Sequence, residues 1–307
     1  MNKRAALTRG FILLSVQIRI LGSAAGGGVP QWNCNCSNCR AARKAGRFLS
    51  QSSAAVSDVD NQWLLLNASP DLSYQFASFP PLFAPRTKLR GTAVAAVILT
   101  DGEMDHAAGL LSLREHNFLR LICTGAVKNL LTKSFPLLPT LEKYCRVNYN
   151  TFPVQTAGVR VSALELETQK APHYFRRSPS HGTVVGLRLE GVKSRRSLVY
   201  LPGLPAISKE LDEFVAHCDC LVVDGTFWSD REMISPGFSR RTARNMGHVP
   251  IGGPDGSLEW LRGLDIPRKI YTHINNSNPI LRKTSRERKM VEKSGVEISF
   301  DGMDIHL

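Results

Sequence analysis

One buried strand that ends in a run of metal-binding side chains constrains the fold of this 307-residue chain more than any other segment. Residues 92–99 (TAVAAVIL) are almost continuously apolar and rich in β-branched side chains, which is typical of a strand covered on both faces. The following segment, 100–110 (TDGEMDHAAGL), places Asp101, Glu103, Asp105 and His106 within six positions. Since α/β folds gather their sites at the carboxyl ends of strands, the sequence predicts a metal site at this strand end.

Other strand-like and helix-like segments alternate along the chain and indicate one large α/β fold. The first strand is read from Val16, Ile18 and Ile20, which alternate with Gln17 and Arg19. Residues 75–92 and 229–256 are predicted to be long loops, which in a compact domain are often functional. Strands are predicted at 15–21, 63–66, 93–100, 119–124, 159–166, 184–189, 197–201, 220–223, 269–273 and 296–300, and helices at 107–115, 128–133, 208–218, 258–263 and 285–294.

The N-terminal residues imitate the start of a secretory signal peptide without completing it. Lys3 and Arg4 precede the apolar run 11–14, but Gln17 and Arg19 interrupt any longer apolar core. We predict that residues 1–14 form a disordered extension, with a misassigned start as the alternative, and that one domain spans residues 15–307. No run approaches the ~20 apolar residues of a membrane span, so a cytoplasmic protein is expected.

The net charge of +13 is compatible with three kinds of anionic partner: a nucleic acid, a membrane or a small substrate. The basic residues are scattered and not interleaved with aromatic residues, so no nucleic-acid-binding pattern is recognised. Arg240, Arg241 and Arg244 precede His248 in the second long loop, where guanidinium groups would suit a substrate carboxylate. A solvated loop is the alternative reading for each of these arginines.

Three of the seven cysteines, Cys34, Cys36 and Cys39, form a C-x-C-x-x-C cluster. An odd count with such a tight cluster argues against a disulfide framework and favours a reducing compartment and a metal. Three converging thiolates fit a tetrahedral, structural zinc whose fourth ligand comes from elsewhere, the alternative being three merely buried cysteines. The other cysteines lie in or beside apolar runs and are interpreted as small buried residues: Cys123, Cys145, Cys218 and Cys220.

The glycines at 22–28 that precede the cysteine cluster match no dinucleotide-binding fingerprint, because no helix-like segment follows them directly. They indicate instead a loop whose backbone passes close to another group.

The segment 100–110 resembles the metallo-β-lactamase superfamily signature T-H-x-H-x-D-H-x-x-G-L. Asp101 and Glu103 replace the two leading histidines, whereas Asp105 and His106 remain. The strand end at 200–203 (YLPG) lacks the bridging aspartate of the superfamily, while 221–226 and 271–276 match its last two landmarks. The resemblance implies an α/β fold of the metallo-β-lactamase type, an αββα sandwich of two mixed sheets flanked by helices.

The missing histidines and bridging aspartate disfavour a two-metal hydrolase, which needs them to hold two metals and a hydroxide. Asp105, His106 and His273 remain, and two histidines with one carboxylate are the ligand set of non-haem Fe(II) oxygenases. The sequence therefore predicts one redox-capable metal, for which zinc can substitute.

A narrower resemblance, to the pyrroloquinoline quinone (PQQ) biosynthesis protein B family, runs from about residue 15 to the C-terminus. It is carried by the segments 21–39, 67–71, 223–228, 246–248 and 273–280. The resemblance implies iron-dependent hydroxylation of the tyrosine ring in a Glu-Tyr unit derived from a precursor peptide, with O2 as co-substrate and other PQQ biosynthesis enzymes as partners. Two alternatives stay open: a carrier involved in transport of PQQ or its precursor to the periplasm, and a zinc-dependent hydrolase.

The remaining candidate residues are interpreted one by one, with alternatives where the sequence leaves them open. Asp101 and Glu103 orient a ligand or shuttle protons, or are ordinary loop carboxylates. His248 is interpreted as a substrate-binding group, a proton relay or the fourth zinc ligand. Asn276 lies three residues after His273, where related phosphodiesterases carry a zinc-binding histidine, and is a weaker fourth ligand. Other side chains are interpreted as a candidate metal ligand (His181), a turn cap (Asp224) and surface or packing residues (His116, His173, His217 and His306).

Overall fold

The computed structural model describes residues 16–170, 172, 174–175 and 181–307, so the predicted extension at 1–14 lies outside the described residues. Two seven-stranded sheets face each other, in the orders β14-β1-β2-β3-β4-β5-β6 and β13-β12-β11-β10-β9-β8-β7. The first contains β1 (Gln17–Gly22), β2 (Ser53–Ser57), β3 (Trp63–Leu66), β4 (Val94–Ile98), β5 (Phe118–Ile122), β6 (Arg146–Asn150) and β14 (Asp304–His306). The second contains β7 (Val154–Thr156), β8 (Val159–Glu165), β9 (Val185–Gly191), β10 (Ser197–Leu201), β11 (Cys220–Asp224), β12 (Arg268–Thr272) and β13 (Val296–Ile298).

Both sheets are mixed. Strands β3 to β6 run parallel in the first sheet and β10 to β13 in the second, while their other neighbours pair antiparallel. The helices cover the outer faces: α1 (Ser37–Lys44), α2 (Leu72–Ser78), α3 (Met104–Ala107), α4 (Gly125–Asn129), α5 (Leu137–Leu141), α6 (Lys209–Val215), α7 (Ser257–Gly263) and α8 (Arg286–Lys293). Among the described residues, none of these helices has the length and apolar character needed to cross a membrane.

Three apolar clusters define the layers of the sandwich. One lies between the two sheets, one between the first sheet and its helices, and one between the second sheet and its helices. Strand β10 illustrates why its sequence is apolar throughout. Leu198 and Tyr200 enter the cluster between the sheets, whereas Val199 and Leu201 enter the cluster under the outer helices. Because successive side chains of a strand point to opposite faces, a strand covered on both faces needs apolar residues at every position. The predicted αββα sandwich is confirmed.

The structure departs from the predicted elements where the apolar pattern is weak. Helix α1 buries only Asn38, Cys39 and Ala42, so its sequence has almost no apolar stripe. Helix α2 overlaps the start of the loop predicted at 75–92, and the short strands β2, β6, β7 and β14 were also missed. The helix predicted at 107–115 is wrong in type, since α3 ends at Ala107 and a 3₁₀ turn, Ala108–Leu113, follows. The helix predicted at 128–133 spans the end of α4 and a π turn, Leu130–Ser134.

The carboxyl ends of three strands bring polar side chains to one edge of the sandwich. Strand β4 leads to Asp101 and α3, β11 ends at Asp224, and β12 leads to His273. His273 has a positive φ of 56°, in the left-handed region that a side chain with a Cβ rarely adopts. Such backbone strain is typical of functional positions, where the surrounding structure imposes it.

Candidate functional site

Asp101 fixes the orientation of the His106 ring. Its Oδ2 lies 2.7 Å from Nδ1 of His106 and also accepts the hydroxyl of Thr100 at 2.9 Å, while its Oδ1 accepts the backbone N–H of Glu103 at 2.9 Å. With Nδ1 donating to a carboxylate, the neutral imidazole has its lone pair on Nε2. Asp101 thus orients His106, a contact that agrees with the first of its two predicted readings.

The Nε2 atom of His106 is buried and has no hydrogen-bond partner among the described residues. Leaving such an atom unpaired costs about 1–3 kcal/mol, so a buried, unpaired ring nitrogen of this kind points to a ligand. One carboxylate oxygen of Asp105 and one ring nitrogen each of His106 and His273 lie within 4.8 Å of one another. The structure therefore brings together the three residues that the sequence predicted as metal ligands.

The electrostatics of this loop favour a bound cation. Burial disfavours the imidazolium form of His106, yet the carboxylates of Asp101 and Asp105 outweigh it and raise the pKa of His106 to about 9. Burial is likewise outweighed at Asp105, where His106 and His273 hold the pKa of the carboxyl group below its usual range. Two carboxylates that attract a buried proton would also attract a metal ion in its place.

His273 is oriented by a hydroxyl group. Thr226 Oγ1 lies 2.8 Å from Nδ1 of His273 and 2.5 Å from Oδ1 of Asp224. The hydroxyl can donate to the carboxylate while it accepts from Nδ1, which leaves the lone pair of the His273 ring on Nε2. That atom lies 3.2 Å from Oδ2 of Asp105, so the two atoms are close enough to bind one metal.

His248 is a third histidine of this site. Its Nδ1 lies 2.6 Å from Oδ2 of Asp224, and its ring stacks on that of His273 with 5.5 Å between the centroids. Both oxygens of Asp224 are engaged, because they also accept hydrogen bonds from Leu204 and Thr226. Although Asp224, His248 and His273 form a second group with metal-binding spacing, Asp224 is better suited to orient His248 than to bind a metal.

The pairing of Asp224 with His248 escaped the sequence analysis, which treated Asp224 as a turn cap. Asp224 does accept the backbone N–H of Thr226, so the capping role is also present. The two residues are 24 positions apart, and the loop between them has no periodicity that predicts their contact. The alternative that His248 is the fourth zinc ligand is wrong, since His248 lines the cavity that contains His106 and His273.

Glu103 lies on the wall of this cavity and not within the metal-binding group. Its carboxylate pairs with the ammonium group of Lys170 at 3.0 Å, and both side chains are largely buried. Tyr174 donates its hydroxyl to the carbonyl oxygen of Gly102 nearby. The role of Glu103 in orienting a ligand or moving protons stays a prediction.

The three clustered cysteines converge as predicted. The Sγ atoms of Cys34, Cys36 and Cys39 lie within 4.8 Å of one another. Three sulfurs of a tetrahedral zinc at ~2.3 Å would be about 3.8 Å apart, so the cluster fits this ion. Asn276 lies beside the group, with its amide nitrogen 3.3 Å from Sγ of Cys39, and exchange of its amide O and N atoms would present an oxygen ligand. Its role as the fourth zinc ligand stays a prediction.

The glycine-rich loop at 22–28 passes against the metal-binding loop, as its composition indicated. A Cβ on Gly26 would lie only 3.1 Å from Oδ2 of Asp105, and a Cβ on Gly22 only 2.0 Å from the backbone oxygen of Gln51. Backbone hydrogen bonds join this loop to the segment after β12, where Ala25 donates to the carbonyl of Ile274. The loop therefore links the cysteine cluster to both His273 and Asp105.

Several candidates lie elsewhere. His181 is exposed and outside the metal-binding groups of the described residues, so it is not brought to the metal site. His217 and His306 are exposed and His116 is half-buried, whereas His173 lies outside the described residues. Arg241 donates to the carbonyl of Asn245, and Arg240 and Arg244 are exposed. Arg244 lines a cavity next to the one that contains His106 and His273. The other cysteines are buried, as predicted: Cys123, Cys145, Cys218 and Cys220.

Known proteins resemble this chain over nearly its whole length. The model of a family described as "Beta-lactamase superfamily domain" matches residues 62–274. Proteins named "Coenzyme PQQ synthesis protein B" from Azoarcus sp. (strain BH72) and Cupriavidus necator are 43% and 44% identical, covering 95% and 94% of this chain and 100% and 99% of their own lengths. The crystal structure of Zn²⁺-bound PqqB from Methylobacterium extorquens is 35% identical, with a TM-score of 0.86 over 95% of this chain and 100% of that one. A diphosphatase of the PhnP family, 17% identical with a TM-score of 0.68 over 95% of this chain and 98% of its own, shares the fold.

Proposed function

The chain belongs to the coenzyme PQQ synthesis protein B family of the β-lactamase superfamily, and from this premise we propose that it is an Fe(II)-dependent hydroxylase in PQQ biosynthesis. Its substrate is the tyrosine ring of a Glu-Tyr unit cut from a precursor peptide, and O2 is its co-substrate. One observation carries the proposal: the buried Nε2 of His106, unpaired among the described residues, lies beside Asp105 and His273.

The donor set fits iron. Imidazole nitrogens with one carboxylate suit Fe(II), and few protein ligands leave positions open for O2 and substrate. His106, His273 and Asp105 would hold the ion, with His248 beside them. When bound, iron supplies the one-electron chemistry that O2 requires to react with an organic ring. Zinc would fit the same residues, so the ligands alone do not decide between the two metals.

The reaction balances with an external reductant. One oxygen atom of O2 enters an aromatic C–H bond of the tyrosine ring to give C–OH. The other oxygen atom leaves as water, which requires two electrons and two protons. We propose a two-electron donor of the ascorbate class as their source in the assay.

The side chains around the site hold and move protons. Asp101, Thr226 and Asp224 keep Nδ1 of His106, His273 and His248 protonated, so that each Nε2 is the free atom. His248 is the most accessible of the three histidines and is suited to pass a proton between the cavity and Asp224. The Glu103–Lys170 pair closes one wall and carries a second exchangeable proton.

Cys34, Cys36 and Cys39, with Asn276 as the fourth ligand, are proposed to hold a structural zinc. Other PQQ biosynthesis enzymes, which would supply the cut substrate and use the hydroxylated product, are the proposed partners, and the cytoplasm is the proposed compartment.

The test is turnover by protein loaded anaerobically with Fe(II) and given Glu-Tyr, ascorbate and O2. We expect oxygen consumption together with a mass gain of one or two oxygen atoms in the dipeptide. His106→Ala and His273→Ala should abolish both, whereas His306→Ala, which removes an exposed side chain of strand β14, should leave both unchanged.

Two outcomes would overturn the proposal. Hydrolysis of esters or phosphodiesters by zinc-loaded protein, without oxygen consumption by the iron form, would favour the hydrolase. Tight binding of PQQ by metal-free protein, again without turnover by the iron form, would favour a carrier.

A further inference from the structure

The cavity lined by His106, His248 and His273, called the metal cavity below, is too small to contain a peptide-derived substrate. Its volume is about 80 Å³, well below the roughly 300–1,000 Å³ of sites that enclose small organic ligands. Only the reacting part of a larger molecule fits inside it, so the rest must lie in a neighbouring space.

A second cavity of about 470 Å³ adjoins the first. Thr168, Pro205 and Gly247 belong to the walls of both, so the two cavities share one partition. Gly247 has a φ of 83° and immediately precedes His248. A Cβ at this glycine would lie 3.0 Å from the side chain of Lys170, which itself lines the metal cavity. The partition is therefore narrow and is formed by backbone close to the metal-binding histidines.

The wall of the second cavity carries one cationic and one anionic side chain. Arg244 donates to the carbonyl oxygen of Asp255 at 3.0 Å and forms no ion pair with the described residues. Glu167 is exposed and is likewise without an ion pair in the described part of the chain. The rest of the wall mixes apolar and polar groups: Leu166, Pro205, Ala206, Gln169, His181 and Asn245.

We propose that this second cavity binds the charged backbone end of the substrate, with Arg244 receiving a carboxylate and Glu167 receiving the α-ammonium group. A guanidinium fork matches a carboxylate in geometry and charge, and such charge-assisted hydrogen bonds are the strong ones. A short peptide with free termini carries both groups that the wall complements. The identity of the bound molecule rests on the function proposed above, whereas the charge pattern does not.

Arg244 also lies close in sequence to His248, which lines the metal cavity. Its backbone N–H donates to Asp230 at 3.0 Å, which fixes the start of the 3₁₀ turn Arg244–Met246. The turn ends at Met246, Gly247 caps it, and His248 follows directly. A carboxylate held by Arg244 therefore positions the substrate against the loop that carries the third histidine.

The test is equilibrium binding by calorimetry, with zinc-loaded protein in the absence of iron and reductant. The probes are Glu-Tyr, its C-terminal amide, Gln-Tyr and N-acetyl-Glu-Tyr. Arg244→Gln should weaken Glu-Tyr binding about 10- to 100-fold, the size expected for a lost charge-assisted hydrogen bond. In unaltered protein, weaker binding of either the C-terminal amide or Gln-Tyr than of Glu-Tyr would identify which carboxylate is recognised. Arg244→Gln should abolish that difference in affinity. Glu167→Gln should remove the preference for the free amine over the N-acetyl form. Arg240→Gln is the matched control, because Arg240 is exposed and lines neither cavity.

Equal affinity of Arg244→Gln and unaltered protein for Glu-Tyr would overturn the inference, as would an equal loss for all four probes. The two proposals fail separately in these experiments. Arg244-dependent binding of Glu-Tyr without any hydroxylation would overturn only the proposed reaction. Hydroxylation with an unchanged KM for Arg244→Gln would overturn only the second cavity.

Discussion

Replacement of Asp101 by asparagine isolates the effect of one oxygen atom on metal binding. The carboxylate accepts from Nδ1 of His106 on one oxygen and from the backbone N–H of Glu103 on the other. Asparagine has one oxygen and cannot accept both bonds. If its amide nitrogen faces His106, Nδ1 must become the acceptor, and the proton moves to Nε2, the atom that would bind the metal.

Loss of such a carboxylate partner typically weakens metal binding 10- to 100-fold, or about 1.4–2.7 kcal/mol. Competition with a chromophoric chelator measures this change with either Fe(II) or zinc. Glu103→Gln is the matched control, because Glu103 is a neighbouring acid that pairs with Lys170 and not with a histidine. Wild-type metal affinity in Asp101→Asn would refute the assignment of His106 as a ligand oriented by Asp101.

The same variant should change the protons released on metal binding. In the metal-free protein the pKa of His106 is raised to about 9, so the ring is protonated at pH 7.5 and must lose its proton to bind. Metal affinity should therefore rise with pH, by up to about tenfold per unit, until pH 9. In Asp101→Asn the pKa falls and less proton is released, which calorimetry in buffers of different ionisation enthalpy measures. Equal proton release by both proteins would contradict this account.

Three further predictions concern other parts of the structure. Burial raises the pKa of Glu232 to about 7, above the 4.5 of an unfolded chain, so ionisation of Glu232 lowers the stability of the protein as pH rises from 4.5 through 7. In denaturant titrations, Glu232→Gln should therefore stabilise the protein at pH 8, by no more than about 3 kcal/mol, and have little effect at pH 4.5. Equal effects of this variant at both pH values would contradict the prediction. Asn276→His should tighten zinc binding and Asn276→Ala weaken it in chelator competition, with the exposed Asn35→Ala as control, whereas unchanged affinity in both would exclude Asn276 as a ligand. Thr226→Val should weaken metal binding through His273 about 10-fold or more without altering zinc retention by the cysteines, and a simultaneous loss of both metals would instead indicate misfolding.

The parts of the fold and site that the sequence predicted are those encoded locally. The strand at 92–99 and the side chains at its end are close in sequence, so periodicity and spacing are enough to place them together. The cysteine cluster is equally local, with three thiols in six residues. The sandwich itself followed from the family signature, because alternation alone does not distinguish one arrangement of two sheets from another.

The missed features depend on contacts between distant segments. Nothing near Asp224 or His248 predicts their 2.6 Å contact, which arises only when the long loop folds back over the end of β11. The sequence thus predicted the two histidines and one carboxylate but not the Asp224–His248 pair beside them. Helix α1 escaped for a different reason, since a structural metal at its N-terminal end can replace the apolar stripe on which helix prediction relies.

The three-residue separation between His273 and Asn276 has a consequence for how a cell matures this protein. Zinc bound by the cysteines and Asn276 would hold the segment that follows the strained backbone of His273, so we expect zinc to be acquired before a second metal binds at His273. Cultures starved of zinc should then accumulate protein that iron supplementation does not repair. Supply of one nutrient metal would in this way control the use of another.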